Sequence, residues 1–298
     1  MAGSSALIAV PYGGMTQTPI RPAATVMLVR DRVAGPEVYL LRRVSSLAFA
    51  GGMTAFPGGG VDPRDSVALG WSGPGVDWWA AAFGVDAALA GSVLVAAARE
   101  LFEETGVLLA DLPASAPATD PAVRERLRVE VTEHRIGLDA VLAGSGGPVG
   151  SSGPAESSGA GTDGTVRTDL LRPWARWVTP PGQPRRYDTF FLLAQLPAAA
   201  PDRAAQQPRM LTTEAEIGEW RRPQDALDAA GRGEIAMLPP TVAMLTELAG
   251  FGDTAGMLAS ERTVRRTEAM LVSGPDEPLR VRAGEQEYSS LGMPISRS

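Results

Sequence analysis

The chain has 298 residues, of which 44% are hydrophobic and 20% charged, proportions that suit a globular protein with a full core. Cys is absent, which excludes disulfides, thiolate metal sites and Cys nucleophiles. The net charge of -7 argues against a general nucleic-acid binder, because such proteins neutralise phosphates with a basic surface. With one His, His134, any metal site would consist mainly of oxygen ligands, which favours a hard cation.

The N-terminal region, residues 1–20, is small, polar and Pro-containing, and we expect it to form a tail. It lacks the basic stretch and the long apolar run of a signal peptide. No segment reaches the ~18 consecutive apolar residues that a membrane span needs. We therefore expect a cytoplasmic protein without a membrane partner.

The first predicted elements form a hairpin. The apolar run at 23–29 predicts a buried strand, and 38–41 predicts its partner across a turn. The segment 51–60 is so rich in Gly that we expect a loop passing close to a ligand, with Gly58 and Gly59 in contact with substrate.

An insertion and two helices are predicted next. Residues 66–90 are interpreted as the insertion. A helix follows at 92–105, with Ser92 as its N-cap and Gly106 as its stop. A second helix is predicted from Pro121 to about Ala143, capped by Asp120, and it carries His134 as a surface residue.

The remaining segments complete an α/β pattern. Residues 144–165 are low in complexity and predict a flexible loop. After this loop we predict strands at 174–178 and 186–196 and helices from about Gln224 and at 240–249. A terminal hairpin is predicted around 274–277. This mixture predicts an α/β fold in which a mixed β-sheet lies between α-helices.

The segment 99–107 carries the candidate chemistry. At about 100° per residue, Glu100, Glu103 and Glu104 fall within an arc of about 100° on one helix face. Like charges so placed repel each other, and a divalent cation such as Mg²⁺ offsets that repulsion with the oxygen ligands it prefers. Arg99 can orient a carboxylate through a bidentate contact. The competing interpretation is a solvated acidic helix face.

The same segment, Arg-Glu-Leu-Phe-Glu-Glu-Thr-Gly-Val, resembles the second half of the Nudix box. That pattern consists of Gly, five residues, Glu, seven residues and then Arg-Glu-U-x-Glu-Glu-x-Gly-U, where U is apolar. The resemblance implies a Nudix fold and a nucleoside diphosphate derivative as substrate. It also implies Mg²⁺ or Mn²⁺ held by Glu100, Glu103 and Glu104, with Arg99 and Glu100 in catalysis.

The first half of the box departs from this pattern. Gly59 aligns with the opening Gly, but Asp65 stands where Glu is expected. Residues 66–98 then separate Asp65 from Arg99, which makes 33 residues where the pattern has seven. A long loop can absorb such an insertion, since doubling a loop costs only ~0.6 kcal/mol. The departure leaves the role of Asp65 open.

An insertion at this place, with the segments 40–43 and 186–189 and the terminal hairpin, resembles the coenzyme A diphosphatase branch of the family. That branch splits coenzyme A or acyl-coenzyme A into 3',5'-ADP and phosphopantetheine parts. Arg43 is the arginine that we expect to contact a phosphate. Two alternatives stay open: another nucleoside diphosphate derivative such as NADH or a nucleotide sugar, and a nucleotide-sensing Nudix domain without turnover.

A further acidic residue, Glu214, lies six residues before Trp220. Many Nudix enzymes carry, at this spacing, a Glu that binds metal or acts as the general base. Glu216 is a competing candidate for this role. Glu100 and Glu214 therefore both remain candidates for the general base.

The predicted organisation is a tail at 1–20, a Nudix hydrolase domain at 21–250 and a C-terminal extension at 251–298. We expect no stable nucleic-acid partner, and a homodimer is left open.

Overall fold

The structure is a computed structural model that describes residues 18–43, 52–143, 164–196, 208, 215–272, 280–289 and 294–295. The strands are β1 Ile20–Arg32, β2 Gly35–Arg43, β3 Thr54–Ala55, β4 Gly58–Gly60, β5 Gly70–Trp71, β6 Ala110–Asp111, β7 Thr165–Val166, β8 Leu171–Val178, β9 Arg186–Gln195, β10 Ala215–Arg221, β11 Arg266–Glu268, β12 Met270–Leu271, β13 Arg280–Ala283, β14 Gln286–Ser289 and β15 Pro294–Ile295. The helices are α1 Val76–Phe83, α2 Ala87–Thr105, α3 Pro121–Thr132, α4 Leu138–Leu142, α5 Pro223–Gly231, α6 Pro239–Leu248 and α7 Thr254–Ala259.

Within these ranges, eight strands form a mixed sheet whose main path runs β10-β2-β1-β9-β8-β11. β1 pairs antiparallel with β2 and parallel with β9, in a register from Ile20 opposite Arg186 to Val29 opposite Gln195. The short strands β3 and β4 add to β2 and β1 respectively.

Helices cover both faces of this sheet because its strands alternate between two cores. In β1, Val26 and Leu28 pack with α1 and α2 on one face, whereas Met27 and Val29 pack with α5, α6 and α7 on the other. This is the period of two that a strand imposes on its side chains. A third cluster joins the outer side of α2 to α3 and α4. The predicted α/β class, with a mixed sheet between helices, is confirmed.

Helix α2 begins earlier than predicted. Its N-cap is Asp86, whose side chain accepts a 2.8 Å hydrogen bond from the Leu89 backbone N–H. Ser92 is not a cap: it is buried in the helix, with its Oγ 3.2 Å from that of Ser66. The C-terminal stop was right, since Gly106 adopts a left-handed φ of 75°. The predicted insertion at 66–90 therefore ends inside α2 and contributes β5 and α1.

The single helix predicted at 121–143 is two helices. Asp120 caps α3, and Pro121 occupies its first turn, as expected. The chain then leaves the helix after Thr132, and His134 adopts φ 59°, a left-handed conformation that ends a right-handed helix. His134 is exposed, as predicted.

Other corrections concern segments without strong periodicity. The Gly-rich segment at 51–60 was expected to be a loop but contains β3 and β4. Strand β10 and helix α7 were not predicted. Strands β12 and β13 pair antiparallel on either side of the predicted terminal turn at 274–277. That turn, the tail at 1–17 and most of the predicted flexible loop, 144–163, lie outside the described residues.

The C-terminal region joins the main fold. Strand β11 pairs parallel with β8, and Ala283 and Tyr288 belong to the second core. The boundary at residue 250 stays a prediction. Along the described segments, no single helix is long and apolar enough to cross a membrane, and α1 with α2 pass that test of length and composition only as a pair bent by 98°.

Candidate active site

Arg99 lies at the centre of the acidic cluster. It projects from α2 and is only 3% exposed. Its Nη1 donates to Glu100 Oε1 at 2.8 Å and to Glu103 Oε1 at 2.9 Å, while its Nη2 donates to the carbonyl of Gly60 at 2.9 Å. One guanidinium therefore links two carboxylates of α2 to strand β4.

Asp65 completes this set, although the sequence left its role open. It lies in the 3-10 turn Pro63–Asp65, which Asp62 caps. Its carboxylate accepts from Arg99 Nε at 2.7 Å and from Nη2 at 2.8 Å, a bidentate pair in which Asp65 is 1% exposed. Asp65 also accepts from the Asp62 backbone N–H at 2.7 Å. The long insertion thus brings α2 back against this turn. The signal in the sequence was the position of Asp65, which follows Gly59 after five residues, where the first half of the box has Glu.

The Gly-rich strand β4 lies directly against the glutamates. The Gly58 N–H donates to Glu104 Oε2 at 2.7 Å. Gly58 has φ 154°, and a Cβ there would lie 2.4 Å from the carbonyl O of Ala24, so only Gly fits. A Cβ on Gly59 would lie 2.5 Å from Glu100 Oε1. These two residues contact the carboxylates of the site; their contact with substrate stays a prediction.

Burial shifts the pKa values of the charged groups in the cluster. Burial raises the pKa of Glu100 to about 7 despite the opposing charge of Arg99, and the negative charge of Glu103 adds to the rise. Burial likewise raises the pKa of Glu103, against the hydrogen bond from Arg99. Burial lowers the pKa of Arg99, but the hydrogen bond to Asp65 and the charges of Glu100 and Asp65 outweigh it and raise that pKa well above its usual range. The site therefore holds more negative charge than Arg99 neutralises.

The donor chemistry of this cluster fits a hard cation. Its candidate ligands are carboxylate oxygens, and further positive charge would relieve the burial of Glu100 and Glu103. In the part of the chain that the structure describes, no group of three or more acidic or His side chains is arranged to hold a metal ion. Glu100 and Glu103 each direct one oxygen to Arg99, and Glu104 directs one to Gly58. The metal assignment of the three glutamates is therefore a proposal.

Two predicted site residues, Arg43 and Glu214, have side chains outside the part of the chain that the structure describes. Glu214 falls outside the described residues, as does the side chain of its competitor, Glu216. The side chain of Arg43 is also outside, although its backbone pairs with Ala215 across β2 and β10. Arg43 and Glu214 stay predictions.

Sequence reasoning missed Arg128. This residue of α3 is 1% exposed, and its Nε and Nη2 donate to the carbonyl of Glu103 at 3.0 and 2.8 Å. Nothing in the spacing of the charged helix 121–132 distinguished it from Arg124 and Arg126.

No family model matches the chain. The Caenorhabditis elegans protein named "Putative nudix hydrolase 7" is 26% identical over 234 residues, which are 78% of this chain and 62% of that protein. This chain thus spans less than two thirds of its relative's length.

A solved structure shows the fold. The NUDIX hydrolase from Alicyclobacillus acidocaldarius matches with a TM-score of 0.60 and 24% identity, over 83% of this chain and 98% of that one. The NUDIX domain of Shewanella oneidensis NrtR, solved with ADP ribose, matches with a TM-score of 0.37 and 11% identity over 80% and 92% of the two chains. The chain therefore has the Nudix fold.

Proposed function

We propose that this chain, which has the Nudix fold, is a Nudix hydrolase that uses Mg²⁺ or Mn²⁺ to cleave a diphosphate linkage. The observation that carries this proposal is the cluster around Arg99, in which Glu100 and Glu103 share one guanidinium with Asp65. A solvated acidic face, the competing interpretation, does not bury its charges. Here Glu103 and Glu104 are 7% and 8% exposed.

The proposed ligands are Glu100, Glu103 and Glu104. When bound, the cation would neutralise charge on the diphosphate and lower the pKa of an attacking water. Arg99 holds Glu100 and Glu103 on the side facing β4. This contact reduces the rotamer freedom that the carboxylates would otherwise lose on binding.

Proton removal from the attacking water needs a base with a pKa near the working pH. Glu100 is the first candidate, and without bound metal its burial raises its pKa to about 7. Glu214 is the second candidate. For the diphosphate itself, we propose Arg43 and the Gly58-Gly59 strand as contacts, because a guanidinium binds phosphate oxygens and Gly lets a ligand approach the backbone closely.

For the substrate we propose coenzyme A or acyl-coenzyme A, cleaved to 3',5'-ADP and the (acyl-)phosphopantetheine part. Support comes from the resemblance of the segments 40–43 and 186–189 and of the insertion at 66–90 to that branch. Another nucleoside diphosphate derivative, such as NADH or a nucleotide sugar, is the alternative within the same reaction class.

A nucleotide-sensing domain without turnover is the second candidate function. Loss of box carboxylates would favour it. The chain instead retains all three glutamates together with Arg99, which favours catalysis.

The test is a substrate screen with product mass analysis. Purified protein is incubated with Mg²⁺ or Mn²⁺ and coenzyme A, acetyl-coenzyme A, NADH, ADP ribose or a nucleotide sugar. We expect metal-dependent release of 3',5'-ADP from the coenzyme A substrates. Binding of any of them without cleavage would instead support the sensor.

The matched variants are Glu103→Gln and Glu130→Gln. Glu103→Gln should abolish metal-dependent turnover with little loss of fold. Glu130, whose side chain is 38% exposed and pairs with Arg135, should be replaceable without effect. Turnover at the wild-type rate in Glu103→Gln would contradict the site assignment.

A further inference from the structure

We propose that Arg128 is a positioning residue that holds the last turn of α2, and with it Glu103 and Glu104, in the orientation that the proposed diphosphatase requires. The inference rests on the proposed function and adds to the site a residue from a different helix, 25 residues from Glu103 in sequence. Arg128 contacts the backbone of the candidate ligands, so it acts through them.

The contact is a two-point clamp on one carbonyl. Both Nε and Nη2 of Arg128 donate to the Glu103 carbonyl oxygen, at 3.0 and 2.8 Å. Because a guanidinium is planar, two donors to one acceptor fix both the position and the direction of the carbonyl. The side chain is buried, so water does not compete for that acceptor.

The clamped carbonyl lies where a helix needs support. The last four carbonyls of a helix have no partner within the helix, and α2 ends at Thr105. The carbonyl of Phe102 accepts from the Gly106 N–H at 2.8 Å, whereas that of Glu103 accepts from Arg128. Without Arg128, the turn that carries Glu103 and Glu104 would lose this bond and fray more readily.

Gly106 admits the guanidinium. A Cβ at position 106 would lie 2.9 Å from Arg128 Nη1, and the residue also has φ 75°. Gly is thus required here for two reasons, the left-handed C-cap and the space for Arg128. Nη1 makes no hydrogen bond and lies 3.7 Å from Glu125 Oε2, so the clamp depends on the other two nitrogens.

The charge of Arg128 supports the same arrangement. A helix C-terminus carries a partial negative charge, which a cation stabilises. Glu103 and Glu104 add two formal negative charges to this end of α2. Arg128 donates to the Glu103 carbonyl, and Arg99 donates to the Glu103 carboxylate. Two guanidinium groups therefore offset the negative charge of this turn.

The experiment compares Arg128→Met, Arg128→Lys and the control Arg124→Met in the full-length chain. Arg124 lies on the same helix and donates from Nε to the carbonyl of Ala118 at 3.0 Å, a contact outside α2. The measurements are kcat and KM with Mg²⁺, the Mn²⁺ dissociation constant by electron paramagnetic resonance with the metal alone, and thermal unfolding in EDTA.

We expect Arg128→Met to lower kcat and weaken Mn²⁺ binding by about tenfold or more, with a smaller change in KM, as for other groups that orient metal ligands. Arg128→Lys, which keeps the charge but loses the two-point clamp, should recover part of each loss. Arg124→Met should match the wild type. A purely structural role would lower only the unfolding temperature and leave the Mn²⁺ dissociation constant of the folded protein unchanged.

Equal Mn²⁺ affinity in wild type and folded Arg128→Met would overturn the inference. If Arg128→Met does not fold, Arg128→Lys decides, because wild-type kcat and Mn²⁺ affinity in that variant would exclude the clamp. Failure of the proposed function is separate, since it shows as absence of turnover in the wild type while the Mn²⁺ comparison still tests Arg128.

Discussion

Arg99 and Asp65 are the pair on which the geometry of the site depends. Both side chains are buried, at 4% and 1% exposed, and two hydrogen bonds join them. Removing one partner of a buried ion pair leaves the other charge uncompensated, which is far more costly than losing an exposed pair.

We predict that Asp65→Asn lowers the free energy of unfolding by about 3 kcal/mol or more, as for other broken buried pairs. Urea unfolding in EDTA measures this change, and turnover should fall because Arg99 then shifts toward the glutamates. The control is Asp225→Asn, which removes an exposed partner of Arg222 and should leave both quantities unchanged. Equal stability of the two variants would refute the pairing.

Glu100 gives the site a pH dependence whose sign can be fixed. Its pKa in the folded chain is about 7, above the ordinary 4.5, so the folded state binds its proton more tightly than the unfolded state. The stability that this proton contributes is fully present below pH 4.5 and is lost as pH rises through about 7.

We therefore predict that Glu100→Gln, measured in EDTA, gains unfolding free energy relative to the wild type between pH 5 and pH 8. The comparison removes the contributions of other groups that the two proteins share. Added Mg²⁺ should stabilise the wild type more than the variant at pH 8, since Gln is a poorer ligand. A constant difference between the two proteins across this pH range would contradict the raised pKa.

At the scale of elements, β4 and α2 form the site by lying against each other. The Gly58 N–H contacts Glu104, and the Gly60 carbonyl accepts from Arg99. Between them, Gly59 leaves room for the Glu100 carboxylate. The strand therefore limits which rotamers the glutamates adopt.

Gly59→Ala should displace the Glu100 carboxylate and lower kcat by about tenfold or more, with a small change in stability, because the clash is with the end of a flexible side chain. Gly60→Ala is the matched control: a Cβ there meets nothing within 4 Å. Steady-state kinetics of the two variants make the test. Similar kcat values would show that close packing at Gly59 is unimportant.

At the scale of the whole molecule, the C-terminal region belongs to the fold. Thr254 donates from its N–H and Oγ1 to Asp31 at 2.9 and 2.6 Å. Met257 is fully buried in the second core. Tyr288 packs edge-on against Trp177, with ring centroids 6.3 Å apart.

A chain that ends at residue 250 should consequently be unstable. Burial of Met257 alone contributes about 1.5–3 kcal/mol, a large share of the about 5–15 kcal/mol that stabilises a domain. A chain that ends at residue 272 keeps α7 and β11 and should be intermediate. Thermal unfolding of both chains measures this, and a wild-type melting temperature for the shorter one would instead support a self-sufficient domain at 21–250.

The sequence by itself determined what depends on neighbours along the chain. Apolar runs located β1 and β9, and the C-terminal stop of α2 followed from Gly106, because the left-handed cap is a local conformation. Helical spacing placed Glu100, Glu103 and Glu104 on one face before any contact was known. The start of α2 was missed, since two residues suited to capping, Asp86 and Ser92, lie within one stretch that can be helical throughout.

Only the tertiary structure decided which distant groups meet. Asp65 reaches Arg99 across 34 residues, and Arg128 reaches Glu103 across 25. Neither pairing leaves a periodic signal, because a contact between separate elements depends on how those elements pack and not on the spacing of residues within one of them. The same reason hid β11, a three-residue strand whose pairing with β8 gives it its conformation.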